Sequence, residues 1–151
     1  MTEAVAAREI VIRRVFDAPR ELVWRAFIEP EQLTRWWGKR GWTAPLSSIT
    51  VEPWPGGAFR LTGVNDSDGR EMPTHAVFRE VVEPERLVFA EVPRDDCHDG
   101  AVTVVTFTEL GDGRTEVELR ASMYASEEIR RSAEGGLSSA LDRLAETLEA
   151  R

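Results

Sequence analysis

The sequence predicts an α+β fold in which a curved antiparallel sheet of about seven strands wraps around one long C-terminal helix. Strand-forming and helix-forming segments follow the order strand, two short helices, about six strands and one helix. Apolar and polar residues alternate along 114–123, as in a strand with one wet face. Residues 126–150 instead carry an apolar stripe at helical spacing. An antiparallel sheet with one apolar face needs a cover, and this helix is the only predicted element large enough to provide it.

The first part of the chain predicts one strand and two short helices. Residues 9–16 are rich in β-branched and apolar side chains and indicate a strand. Apolar residues with helical spacing indicate a helix over 19–28, which Pro30 ends. A second short helix is predicted over 30–36. We expect residues 1–8 to be disordered and residues 9–151 to form a single domain, since domains typically contain about 100–150 residues.

The middle of the chain predicts short strands joined by tight turns. Gly111-Asp112-Gly113 is the clearest hairpin signal, and Glu83-Pro84-Glu85 indicates another hairpin. The predicted strands are 49–52, 58–64, 74–82, 86–92, 102–109 and 114–123.

The last predicted helix contains an adjacent pair of glycines, Gly135 and Gly136, within its apolar stripe. Two glycines in a helix cost about 2 kcal/mol relative to alanine. We interpret the pair as a site of close approach to a neighbour, or as room left for one.

Composition excludes several classes of function. The 151 residues carry a net charge of −8 with a pI near 4.9, which argues against binding to nucleic acids or anionic membranes. No apolar run approaches a membrane span, and the N-terminus lacks a signal-peptide core. A single cysteine, Cys97, excludes an internal disulfide and indicates a reducing compartment. We therefore expect a cytoplasmic protein.

Five tryptophans beside one tyrosine are the oddest feature of the composition. Trp36 and Trp37 are adjacent in a short helix, so they cannot both face one core, and we expect one of them to be more exposed. Together with Trp42 they are candidates for the mouth of a pocket, since apolar clefts are often lined by aromatic residues. Trp24 is interpreted as helix packing, and Trp54, between two prolines, as packing at a corner of the sheet.

Candidates for polar chemistry are few. His75 lies in a predicted strand and is a candidate ligand contact or acid–base group, although a lone histidine is more often structural. Residues 95–99 (DDCHD) contain metal-ligand types at a spacing unsuited to one ion, so a solvated loop is favoured and neither a metal nor a cofactor is predicted. Among the strand arginines, one facing inward would indicate an anionic ligand, because a buried guanidinium needs a partner. Motifs for nucleophilic catalysis, nucleotide phosphates or zinc are lacking in the sequence.

Three segments resemble a known family. Residues 15–38 (VFDAPRELVWRAFIEPEQLTRWWG) resemble the opening signature of the SRPBCC superfamily, and more narrowly its bacterial branch homologous to activators of the heat-shock protein 90 ATPase. Residues 80–89 (EVVEPERLVF) resemble the family's central hairpin, and residues 135–148 (GGLSSALDRLAETL) resemble its closing helix. Leu137 stands where the family commonly has tryptophan.

The resemblance implies a START-like, helix-grip fold with a cavity between the sheet and the C-terminal helix. We expect this cavity to bind a small apolar or aromatic molecule. A co-chaperone that stimulates a chaperone ATPase and a polyketide cyclase or hydrolase are the alternatives, and a homodimer through exposed tryptophans is conceivable. The candidate ligand-binding residues are Trp37, Trp42, Phe59, His75, Phe78, Phe89, Phe107, Met123, Leu137 and Leu141.

Overall fold

A computed structural model describes residues 4–92 and 100–149 of the chain. Three α-helices, one short 3-10 helix (Leu46–Ser48) and eight strands occur within these residues. The helices are α1 (Arg20–Ile28), α2 (Pro30–Trp36) and α3 (Glu127–Glu149). The strands are β1 (Ala6–Phe16), β2 (Trp42–Thr43), β3 (Thr50–Val51), β4 (Ala58–Asn65), β5 (Glu71–Val82), β6 (Arg86–Glu91), β7 (Val102–Glu109) and β8 (Thr115–Ala125).

The strands form one antiparallel sheet in the order β1-β8-β7-β6-β5-β4-β2, and β3 also pairs with β4. The predicted α+β class, the two short helices after the first strand and the long final helix are confirmed. The sheet has eight strands rather than about seven, because the two-residue strand β2 pairs with β4 in addition to the seven predicted strands. Strands this short leave no alternating pattern in a sequence, which is why the Trp42–Thr43 strand was not predicted.

The first strand begins earlier than the sequence indicated. β1 starts at Ala6, which pairs with Ala125 at the end of β8. Residues 6–8 therefore belong to the sheet instead of a disordered tail. The long β1–β8 pairing covers all of β1 and ends at the pair Phe16 and Thr115.

A β-bulge in β5 changes which side chains face the core. The register between β5 and β6 shifts between Phe78 and Glu80. A bulge adds one residue to one strand, so the alternation of faces is reset beyond it. Val81 consequently pairs with the buried Leu87 and packs against the core. Uninterrupted alternation along β5 would instead put Val81 on the same face as the exposed His75.

The helices cover the concave face of the sheet and close one end of it firmly. Trp24 of α1 packs edge-on against Phe107 of β7, with ring centroids 5.3 Å apart. Phe27 also packs edge-on against Phe107, at 5.2 Å, and Trp36 of α2 lies 4.9 Å from Phe27. All four rings are buried. This end of the concave face is therefore a filled core.

Candidate functional site

Helix α3 is buried along its C-terminal half, whereas its N-terminal half is only partly buried and is open at Gly136. Leu141, Leu144 and Leu148 are buried against the sheet and the other helices. Gly136 lies one turn before the buried Ala140, on the same side of the helix. A Cβ placed on Gly136 would meet no atom within 4 Å, apart from its chain neighbours and its own helix backbone. Of the two interpretations of the glycine pair, the structure therefore supports room left beside the helix.

An aromatic cluster, which we call the aromatic floor, lies on the face of the sheet that the helices cover. Phe59 of β4 and Phe89 of β6 stack with their ring centroids 5.1 Å apart. Phe78 of β5 meets both rings edge-on, at 5.8 Å from Phe59 and 6.1 Å from Phe89. Trp37 packs edge-on against Phe59 at 5.3 Å. Phe59, Phe78 and Phe89 are buried, whereas Trp37 is only half-buried.

We give the name cleft to the partly buried residues Trp37, Met123, Gly136 and Leu137 together with Phe89 of the aromatic floor. Met123 lies on the inward face of β8, and Leu137 is on the helix face that packs against the core. Both side chains are half-buried, as is Trp37. These apolar side chains face the core and yet keep part of their surface in contact with solvent.

Two of the predicted ligand-binding residues lie in the closed part of the core. Phe107 packs between Trp24 and Phe27, and it is 2% exposed. Leu141 is 1% exposed, at the point where α3 meets the sheet. Both side chains are therefore enclosed by the protein itself.

Trp42 and His75 also lie away from the cleft. The Trp42 ring is buried over Gly63, with the Lys39 ammonium 5.9 Å and the Arg70 guanidinium 5.6 Å from its centroid. The ring is thus buried and flanked by two cations. His75 is exposed and pairs with Arg60, on the convex face opposite the buried Ala76. It is placed to contact solvent.

The other tryptophans divide as the sequence indicated, with one exception. Trp36 is buried and donates its ring N–H to the carbonyl of Ala26, while its neighbour Trp37 is more exposed. Trp24 is also buried, in helix packing. Trp54 was expected to pack at a corner of the sheet, but it is 56% exposed because its turn projects into solvent. Exposed tryptophan surface, on which the homodimer expectation rests, is therefore contributed by Trp54 and in part by the half-buried Trp37.

Arginines do face inward, but helix α3 already satisfies them. Arg14 of β1 donates to the carboxylate of Asp142 at 2.6 Å and to the hydroxyl of Ser138 at 2.7 Å. Arg8 donates to Glu127 at 3.1 Å and to the carbonyl of Ala125 at 2.8 Å. Both guanidinium groups are paired within the chain, so they do not require an anionic ligand.

Arg143 holds the segment that carries Trp37, a role that the sequence did not indicate. Its guanidinium donates to the backbone carbonyls of Gly38 and Trp42 at 2.9 Å each, and of Trp37 at 3.1 Å. It also donates to the carbonyl of Arg35 at 3.2 Å, at the end of α2. Burial lowers the pKa of Arg143, and the neighbouring Arg40 lowers it further. A cation bonded to carbonyls that lie about 100 residues earlier in the chain cannot be recognised from sequence spacing.

Polar features outside the cleft do not form an alternative site. A hollow of about 280 Å³ lies between α2 and α3, and polar or charged side chains line it: Arg35, Arg143, Glu146 and Thr147. Within residues 4–92 and 100–149, no cluster of three or more His, Cys, Asp or Glu side chains could hold a metal ion. The DDCHD segment falls outside the residues that the structure describes.

In the described part of the chain, no helix is both long and apolar enough to span a membrane.

Comparison with known proteins places the fold in a family. Residues 17–149 match the family described as Activator of Hsp90 ATPase homolog 1-like protein. No curated protein matches the chain. A crystal structure of a Chromobacterium violaceum protein has a TM-score of 0.81 at 22% identity, with 93% of this chain and 96% of that chain covered. The AHSA1 protein from Silicibacter pomeroyi has a TM-score of 0.80 at 19% identity, with 95% and 99% covered.

A solution structure of a protein from Arthrobacter aurescens is similar to the same degree. Its TM-score is 0.81 at 25% identity, and the match covers 95% of this chain and 87% of that one. These likenesses establish a shared fold over nearly the whole chain. With the family match over residues 17–149, they show that the chain belongs to the family of Activator of Hsp90 ATPase homolog 1-like proteins, within the SRPBCC superfamily.

Proposed function

We propose that the protein binds a small, mostly apolar molecule in the cleft. The observation that carries this proposal is the open space at Gly136 of α3, next to Leu137, which faces the core and is still half-buried. A ligand there would contact Trp37, Met123 and Leu137 at its sides and Phe89 beneath it. Phe59 and Phe78 would support Phe89 from below without touching the ligand.

Hydrophobic burial is the physical basis of the binding. Removing apolar surface from water contributes about 25 cal/mol per Å², and half-buried apolar side chains are the ones that still have such surface to lose. The aromatic floor is already packed ring against ring. The expected contact surface is therefore the upper layer of the cleft, and the deeper ring layer stays in place.

The two alternatives lack comparable support. A cyclase or hydrolase would have to work without His75, because this side chain is exposed on the opposite face of the sheet. Stimulation of a chaperone ATPase is suggested by the family's description alone. Binding in the cleft is the function that the arrangement of side chains favours.

A titration with 1-naphthalenemethanol tests the proposal. The protein is labelled with 13C at the methionine methyl groups, and the methyl resonances are followed by NMR. Met123 lies in the cleft, while Met72 is 58% exposed at the start of β5 and serves as an internal reference. We expect a saturable shift of the Met123 resonance and no saturable shift of the Met72 resonance.

A matched pair of variants locates the probe. Gly136→Leu places a side chain in the open space of the cleft, whereas Gly135→Leu places the same side chain on the exposed side of the helix. Both glycines have free space for a Cβ, and both substitutions improve helix propensity. Gly136→Leu should weaken probe binding at least 10-fold and Gly135→Leu should leave it unchanged. Equal effects of the two variants, or no response of Met123 in the original protein, would contradict the proposal.

A further inference from the structure

Glu91 is a charged side chain on the inward face of the sheet, at the end of β6. It pairs with Ala76, which is fully buried, and it follows Phe89 by two residues on the same strand. Because residues two apart on a strand share a face, the carboxylate lies on the concave side with the Phe89 ring. It is partly buried there.

The strand neighbours of Glu91 offer no polar side chain to its carboxylate. The residues opposite it on the neighbouring strands are Ala76 and Ala101, and the carbonyl of Ala101 accepts the backbone N–H of Glu91. Neither alanine has a polar side chain to reach the carboxylate. Within the described residues, the Glu91 carboxylate forms neither a hydrogen bond nor an ion pair.

The other charges on the concave face behave differently. Arg8 is held by Glu127, and Arg14 is held by Asp142, both from α3. In the described part of the chain, these two cations are thus paired with carboxylates of α3, whereas Glu91 has no cationic partner. A partly buried carboxylate beside apolar surface is stabilised by a cation that enters with the ligand, since an ion pair strengthens as water is excluded.

We propose that the cleft selects apolar or aromatic amines, whose ammonium group binds Glu91. This inference rests on the proposed function. The apolar part of such a ligand lies against Phe89, Met123 and Leu137. The half-buried Trp37 ring at the side of the cleft adds to the preference, because an aromatic face attracts a nearby cation. Thr103 pairs with Phe89 on the same face and provides a hydroxyl next to this position.

Three naphthalene probes that differ only in their polar group test this inference. They are 1-naphthylmethylamine, 1-naphthalenemethanol and 1-naphthoic acid, titrated at pH 7 against the Met123 methyl resonance. We expect the amine to bind about 10-fold more tightly than the alcohol, equivalent to about 1.4 kcal/mol. The acid should bind more weakly than the alcohol, because its carboxylate is repelled by Glu91.

Glu91→Gln should remove the preference for the amine and leave the affinity for the alcohol within about twofold. Glu116→Gln is the matched control, since Glu116 lies on the outward side of β8 and its replacement changes the net charge by the same amount. It should retain the full preference. A retained preference in Glu91→Gln, or equal binding of amine and alcohol to the original protein, would overturn the role of Glu91 while the cleft remains a binding site. Failure of all three probes to shift Met123 would overturn the proposed function and this inference together.

Discussion

Replacing Arg143 with methionine should destabilise the protein by about 3 kcal/mol. Methionine keeps most of the aliphatic stem of the side chain and removes the guanidinium. The two hydrogen bonds to the carbonyls of Gly38 and Trp42 are the shortest, at 2.9 Å each. A hydrogen bond to a charged group contributes about 1.5–3 kcal/mol, and the lower value is appropriate because water can reach this partly exposed site. Two such bonds give the stated loss.

Equilibrium unfolding in guanidinium chloride measures this loss as a change in the free energy of unfolding. In a thermal melt, the same change lowers Tm by about 6–12 °C for a chain of this size. The substitution should also loosen the segment after α2, which carries Trp37. Acrylamide should therefore quench the tryptophan fluorescence more strongly, because Trp37 becomes more accessible.

Arg131→Met is the matched control for Arg143→Met. Arg131 lies on the same helix, its side chain is 74% exposed, and an ion pair that it forms with Glu127 spans 3.6 Å. Exposed pairs of this kind contribute about 0–1 kcal/mol. A loss below 1 kcal/mol in Arg143→Met, or equal losses in the two variants, would refute the assigned role of Arg143.

Two further predictions concern helix α3. Gly136→Ala should raise the free energy of unfolding by about 1 kcal/mol, because the new methyl group meets no atom within 4 Å and alanine favours a helix; an unchanged or lower denaturation midpoint would contradict the open space. A hydrogen bond from Arg130 lowers the pKa of Glu127 below its ordinary value of 4.5. The stabilisation from Glu127 is therefore fully present above about pH 4.5 and is lost as the pH falls through the lowered pKa. Glu127→Gln should make stability less dependent on pH below 4.5, measured as the denaturation midpoint at pH 3 to 6, and an unchanged slope would contradict this assignment.

Most of the fold could be predicted because its long elements carry strong patterns. The alternation from Thr115 to Met123 and the apolar stripe of the last helix each repeat over several periods, and the structure places both elements within two residues of their predicted ends. The two-residue strand at Trp42 could not be predicted, because it exists only through pairing with β4. The bulge between Phe78 and Glu80 was missed for a similar reason, since a register shift depends on the neighbouring strand.

The candidate site was predictable in its residue types more than in its geometry. Apolar and aromatic residues were expected between the sheet and the helix, and Phe59, Phe89, Met123 and Leu137 do face this region. The sequence could not show that the helix is closed at Leu141 and open at Gly136, because this depends on how far α3 stands from the sheet along its length. It also gave no signal for Glu91, whose inward position only strand pairing reveals.

A ligand in the cleft must touch Met123, and intermolecular nuclear Overhauser effects measure that contact directly. In a complex with 1-naphthalenemethanol, we predict cross-peaks between the naphthyl protons and the methyl groups of Met123 and Leu137. The exposed methyl group of Met72 should show none. Cross-peaks to Met72 alone, or a bound probe without contact to either Met123 or Leu137, would contradict the assignment of the cleft as the binding site.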